Sequence, residues 1–145
     1  MPGILVATDG SKAADRAVDF GAELAKSLAV PLWIINVTDD FGPSSAQLQE
    51  FSRVEQLSRG EMIESLSAQL LAKAKERAEK LGARSVQIES RQGDVTQTII
   101  EIANERDADA VVVGKRGRGS LAGLLLGSVT QKLVSLAPRV VIVVP

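Results

Sequence analysis

Five short runs rich in Val and Ile punctuate this chain, at positions 4–8, 31–37, 85–89, 110–113 and 140–144, with helical periodicity between them. Most of the runs are apolar at consecutive positions, as strands buried on both faces are. The third, Val86-Gln87-Ile88-Glu89, alternates and suits a more exposed strand near a sheet edge. Between the runs, Ala14, Val18, Gly21, Ala22, Ala25 and Leu28 step by three and four. Met62, Leu66, Leu70, Ala74, Ala78 and Leu81 form a second stripe, Val95, Ile99, Ile102 and Ala103 a third, and Val129, Leu133, Leu136 and Ala137 a fourth. Gly82 reads as a helix stop, and Asp94 with Gln97 and Ser128 with Gln131 as capping boxes. The order β-α-β-α-β-α-β-α-β predicts an α/β fold, a doubly wound sheet of five parallel strands with helices on both faces. In such sheets ligands sit outside the carboxyl ends of the strands, where strand order reverses. The search for a site therefore narrows to the segments after Thr8, Val37, Gln92 and Val113.

Composition removes many alternatives. The chain has 145 residues with no His, Cys or Tyr, so Ser-His-Asp and Cys-His sites, His or Cys zinc sites and disulfides all lack their parts. Its length fits one domain, 1–145, able to bury roughly 70% of its unfolded surface. Hydrophobic residues make up 45% and aromatics 3%, so the core is expected to be aliphatic. Lys and Arg number 17 against 18 Asp and Glu, a net charge of −1, which argues against nucleic acid as a partner. No apolar run approaches the ~20 residues that span a bilayer. The opening MPGILVATDG has no basic leader region, so the expected location is the cytoplasm. Residues 39–60 exceed an ordinary connection. Gly42, Pro43, Ser44 and Ser45 read as loop, then Leu48, Phe51, Val54 and Leu57 as a helical lead-in broken or kinked near Gly60. Such an insertion serves either as a lid or partner surface or simply as a helix on the sheet.

The richest segment follows the fourth run. Residues 113–129 hold five Gly (114, 117, 119, 123 and 127) and the cations Lys115, Arg116 and Arg118. Glycines at a strand end let backbone amides approach an anion, and the helix opened by Gly127-Ser128 offers free N–H groups and a positive dipole end. No Walker A string is present, and Gly117-x-Gly119-x3-Gly123 has the wrong register and place for a dinucleotide fingerprint.

The spacing Gly114-x2-Gly117-x9-Gly127-Ser128 resembles that of the universal stress protein family, in its ATP-binding branch. The first strand ends in Val6-Ala7-Thr8-Asp9-Gly10-Ser11, like the family's opening. The second ends in Asn36-Val37-Thr38, where the family often reads His-Val, and the last helix opens Gly127-Ser128-Val129-Thr130. The resemblance implies a Rossmann-like sheet of order 3-2-1-4-5 with a nucleotide between strands one and four. It implies cofactor contacts from Thr8 and Asp9, with Asp9 toward the ribose or adenine and the Val37 backbone reading the adenine edge. Gly114, Arg116 and Gly117 would line the ribose and phosphate path. Gly127, Ser128 and Val129 would hold phosphates through N–H groups, with the Ser128 hydroxyl adding one bond. The plainer reading stays open: Asp9 caps the first helix with Ser11, and the glycines only turn the chain.

The last run, if it lies at a sheet edge, presents an apolar strand that invites pairing with another chain. Together with the family's habit this predicts a homodimer through 140–144. The function expected is an ATP-binding regulatory protein of the stress response, acting on unidentified protein clients, with little or no turnover and no catalytic residues. ATP is the expected ligand, with AMP or ADP as alternates and Mg²⁺ or Mn²⁺ accompanying it. The alternative is a slow metal-dependent ATPase or nucleotidyl-transfer enzyme. A phosphoacceptor receiver domain is disfavoured, because Asp9 stands alone after the first strand and the chain ends on a strand.

Overall fold

The computed structural model describes residues 2–39, 59–116 and 126–145. Strands β1 (Ile4–Ala7), β2 (Leu32–Thr38), β3 (Val86–Gln92), β4 (Ala110–Gly114) and β5 (Val140–Val144) form one sheet of order β3-β2-β1-β4-β5. All neighbouring strands are parallel. Helices α1 (Lys12–Leu28), α2 (Arg59–Lys80), α3 (Val95–Glu105) and α4 (Ser128–Leu136) fill the connections. The expected alternation and strand order are both present. The reading of a lead-in helix over 48–57 lies outside the described residues, and Gly60 itself lies within α2.

The two faces of the sheet follow from the period of two. Ile4, Val6, Leu32, Ile34, Ala110 and Val112 point one way and meet α1 and α2 through Val18, Ala22, Leu71, Ala74 and Ala78. Leu5, Trp33, Ile35, Val111 and Val113 point the other way and meet α3 and α4 through Ile99, Ile102, Ala103 and Leu133. Burying one such Ile, Leu or Val contributes about 1.5–3 kcal/mol, so this two-sided aliphatic layer is the main stabilising feature. The helix that covers β1 is unusually small-faced: Ala14, Ala17, Gly21, Ala22 and Ala25 are buried. A Cβ on Gly21 would stand 2.3 Å from Val6 Cγ2, which shows how closely α1 lies on the sheet.

Helix boundaries have local causes. Ser11 is the N-cap of α1 and its Oγ accepts from the Ala14 N–H at 3.2 Å. Asp94 caps α3 by accepting from the Gln97 N–H at 2.9 Å, one half of the capping box, while Gln97 Nε2 donates to Glu101 at 3.4 Å. The matching reading of Ser128 with Gln131 is corrected. Gly127 is the N-cap of α4, with φ −69 and ψ 162, and no side chain caps that end. Extended backbone at Gly127 makes Ser128 the first helical residue, one position too late for its hydroxyl to serve as the cap.

β3 runs to Gln92 rather than stopping at Glu89: it stays paired with β2 as far as Thr38, and charged side chains at its far end find partners. Arg91 Nε donates to Glu89, and its other nitrogens reach Glu105 at 3.0 and 2.6 Å. Arg106 donates to Glu89 at 2.8 Å and to Gln87 at 3.2 Å, with its guanidinium 5.3 Å above the Trp33 ring. Partial burial pushes the Glu89 carboxyl up, but the hydrogen bonds from Arg106 and Arg91 outweigh it and hold the group below the usual Glu range. A carboxyl lowered on folding stabilises fully above its unfolded pKa of about 4.3, and that contribution is lost as pH falls through the folded value. Glu89→Gln is therefore expected to lower the urea midpoint at pH 7, with the gap from wild type closing as pH drops below about 4. A gap constant down to pH 3 would contradict the ion-pair account.

Candidate functional site

The sheet divides at its centre. β1 leads into α1 on one face, and β4 leads toward α4 on the other. The register pairs Val6 with Val112 and Ala7 with Ile35. Carried two residues on, it sets Thr8 level with Gly114 and Asp9 level with Val37. These residues stand at the carboxyl ends of the strands, where the connections part and leave a crevice.

The β1 side of the crevice is a short, well-bonded turn. Thr8 is buried and donates its N–H to the Ile35 carbonyl at 2.9 Å. Its Oγ1 accepts from the Gly10 N–H at 3.2 Å, and Asp9 Oδ1 accepts from the Ser11 N–H at 2.9 Å. Gly10 takes φ +81, a conformation glycine adopts without strain. Asp9 thus does brace the turn that starts α1, as the plainer reading holds, while standing half-buried at the crevice.

β2 extends beyond β1, and this exposes backbone. Leu32 N–H donates to Ser85 and the Thr38 carbonyl accepts from Gly93, so even-numbered residues of β2 bond toward β3. The Ile35 carbonyl accepts from Thr8, so odd-numbered residues bond toward β1. In a parallel ladder these directions alternate strictly. The N–H and C=O of Val37 therefore face the side on which β1 has ended. Beside it, Asn36 is buried and donates from Nδ2 to the Thr8 carbonyl at 2.8 Å.

Gly114 closes the other side. A Cβ there would lie 2.9 Å from the carbonyl carbon of Ala13, so the first turn of α1 rests against the end of β4. The Gly114 carbonyl accepts from Thr130 Oγ1 at 2.7 Å, which ties α4 to the same residue. Lys115 is held at both backbone groups, its N–H by Val144 at 2.7 Å and its carbonyl by the Gly127 N–H at 2.9 Å. The Gly127 amide is thereby committed within the protein. The amides of Ser128 and Val129 follow in the first turn of α4, where N–H groups have no intrahelical acceptor. Two helix N-termini, those of α1 and α4, thus flank one strand end and favour negative charge. Lys115 is half-buried beside them and Arg116 is exposed. Among the described residues, no group of three acidic, His or Cys side chains is placed to hold a metal ion.

The structure thus brings Thr8, Asp9, Val37, Gly114, Ser128 and Val129 to one end of the sheet. Gly117, with Arg118 and Asp40, lies outside the described residues. Thr130 and Asn36 were not singled out as site residues by sequence reasoning. No spacing rule ties Thr130 to Gly114, 16 residues earlier in the chain. Asn36 did give a signal, as a polar residue inside an apolar strand.

Comparisons with known proteins agree with this architecture. The profile described as the universal stress protein family matches residues 2–145. Universal stress protein Rv1996 of Mycobacterium tuberculosis is 33% identical over 155 residues, covering 99% of this chain and 48% of that protein. The chain therefore spans about half the length of that curated relative, at 48%. A universal stress protein solved in complex with cAMP is similar with TM-score 0.75 at 26% identity, over 99% of this chain and 96% of the other. The universal stress protein of Archaeoglobus fulgidus in complex with dAMP gives TM-score 0.70 at 25% identity, over 99% and 97%.

The contact of Gly114 with Ala13 gives a direct test. Gly114→Ala places a methyl 2.9 Å from main chain, so α1 must shift. The expected loss is about 1–3 kcal/mol in urea unfolding, the usual cost of overpacking. A loss under about 0.5 kcal/mol, within the range of ordinary surface changes, would show that the contact is not tight in solution.

Proposed function

This chain belongs to the universal stress protein family, and we propose that it is a cytoplasmic regulatory protein that binds ATP, with AMP or ADP as alternates. The observation that carries the reading is the convergence, at the β1/β4 divide, of the open Val37 backbone, the Asp9 carboxylate and the first amides of α4. The Val37 backbone matches the hydrogen-bonding edge of adenine, and Asp9 beside it accepts from ribose hydroxyls. Gly114 and Arg116 line the path to the phosphates, and the motif alone assigns Gly117 to the same path. The Ser128 and Val129 amides and the Ser128 hydroxyl hold the phosphates, while Gly127 contributes a cap without a side chain. Mg²⁺ or Mn²⁺ accompanies the nucleotide on its phosphates. Complexes of family members with cAMP and dAMP support an adenine nucleotide.

Turnover is little or none in this reading. Phosphoryl transfer relies on a positioned metal, a cationic clamp and an oriented nucleophile. Asp9 is the one carboxylate at a motif position, and its Oδ1 already holds the Ser11 N–H. The nucleotide acts instead by changing conformation or the choice of protein client. Among the described residues no helix is long and apolar enough to cross a membrane, which suits a cytoplasmic site of action. Native mass spectrometry of the purified protein identifies the ligand it carries, and product formation with metal and ATP separates binding from hydrolysis.

Ser128→Pro isolates the phosphate contact. Proline at the first helical position fits the helix, and Gly127, with ψ 162, already has the extended form that precedes proline. Only one amide donor and the hydroxyl are lost. ATP affinity is expected to fall roughly 10- to 100-fold, as for a lost hydrogen bond to a charged group, with stability nearly unchanged. Equal affinity in calorimetric titration would remove α4 from the site.

The same reading makes β5 the seam of a homodimer. Val140 is 60% exposed, and among the described residues β5 has a neighbouring strand on one side only. The Val144 carbonyl bonds toward β4, so the amides of Val141 and Val143 face the open edge. Val143→Pro removes one outward donor without touching the β4 ladder. Light scattering is expected to give twice the protomer mass for wild type and a single protomer for the variant. A monomeric wild type at micromolar concentration would refute the dimer.

A further inference from the structure

A buried polar relay crosses three elements beneath the crevice. Ser67 on α2, Asn36 on β2 and Thr8 at the end of β1 are all at most 6% exposed. Ser67 Oγ lies 2.6 Å from Asn36 Oδ1, and Asn36 Nδ2 lies 2.8 Å from the Thr8 carbonyl oxygen. The direction of these bonds is forced. A backbone carbonyl only accepts, so Thr8 must face the amide NH₂ group of Asn36. The Asn36 oxygen then faces Ser67, whose hydroxyl must donate. The Thr8 carbonyl and the Asp9 N–H belong to one planar peptide group, so fixing the first fixes the second.

We infer that Ser67 and Asn36 are positioning residues that couple the seating of α2 to the nucleotide crevice, by setting the Thr8–Asp9 peptide. This deepens the nucleotide reading and rests on it. Without the Ser67 hydroxyl, a buried carbonyl oxygen has lost its donor and the amide is no longer held in the one orientation that Thr8 accepts. The turn bearing Asp9 then loses its fixed aim, although Ser67 stands two hydrogen bonds away from it. Linkage makes the effect mutual: a nucleotide that prefers the ordered turn must also favour the docked α2.

The test uses Ser67→Ala, which favours helix and so preserves α2, beside Ile102→Val. Ile102 is fully buried on α3, in the aliphatic core on the other face of the sheet. Its shortening costs core stability without loosening α2. Calorimetric titration with ATP is expected to show affinity about five- to tenfold weaker for Ser67→Ala, the scale of one neutral hydrogen bond, and unchanged for Ile102→Val. Amide resonances of Gly10 and Ser11 should shift in Ser67→Ala alone. ATP should slow hydrogen exchange in the first half of α2 in wild type and not in Ser67→Ala. Unchanged affinity in Ser67→Ala, or equal weakening by both substitutions, overturns the coupling and leaves nucleotide binding standing. Absence of ATP, ADP or AMP binding in wild type overturns the nucleotide reading itself, and the coupling with it.

Discussion

β1 and β4 lie side by side at the centre of the sheet, and their connections leave for opposite faces. Backbone pairing must stop where the chains diverge, and that enforced gap is the origin of everything at the carboxyl end. It leaves Val37 with backbone groups facing a strand that has ended. It brings the starts of α1 and α4 to either side of Gly114. A side chain at Gly114 would collide with Ala13, so the narrowness of this junction depends on a residue that has none. The crevice is thus a product of topology first, and of side-chain chemistry second.

What lines it is mostly main chain. In the proposed reading, orphan amides at a helix start, an exposed strand edge and one carboxylate make a recognition surface that needs no imidazole or thiolate. Such a surface reads shape and hydrogen-bonding edges well, and supplies little that moves protons. The side chains nearby are occupied in holding this backbone still: Thr130 on Gly114, Asn36 on Thr8, and Asp9 on Ser11. Their hydrogen bonds fix the positions of amides and carbonyls that would otherwise have to be ordered by a ligand.

Much of this was legible in the sequence because it is local or periodic. The Val- and Ile-rich runs gave the strands, and the alternation in Val86-Gln87-Ile88-Glu89 placed β3 at an edge, where it is found. Glycine spacing from Gly114 to Gly127 marked the two ends of the β4–α4 connection. The remaining strand length of β3 was not legible, since it depends on pairing with β2 out to Thr38 and on Arg91 meeting Glu105 at the far end of α3. Nor was the cap of α4, where Ser128 fits the sequence pattern but the backbone turns one residue earlier. The relay from Ser67 to Thr8 joins residues far apart in sequence, and no spacing rule encodes it. Gly117 stands in the motif and lies outside the described residues, so its place rests on sequence alone.

The two rims of the sheet are chemically unlike. β3 carries Gln87, Glu89 and Arg91 at alternate positions; Glu89 and Arg91 form ion pairs with Arg106 and Glu105, and Gln87 accepts from Arg106. β5 is Val140-Val141-Ile142-Val143-Val144. A sheet with two adhesive rims can add copies at both ends and grow into a fibre. In the proposed homodimer β5 is satisfied once, against its own kind across a two-fold axis. The charges on β3 would then act as a chain terminator, limiting how far strand-by-strand assembly can run.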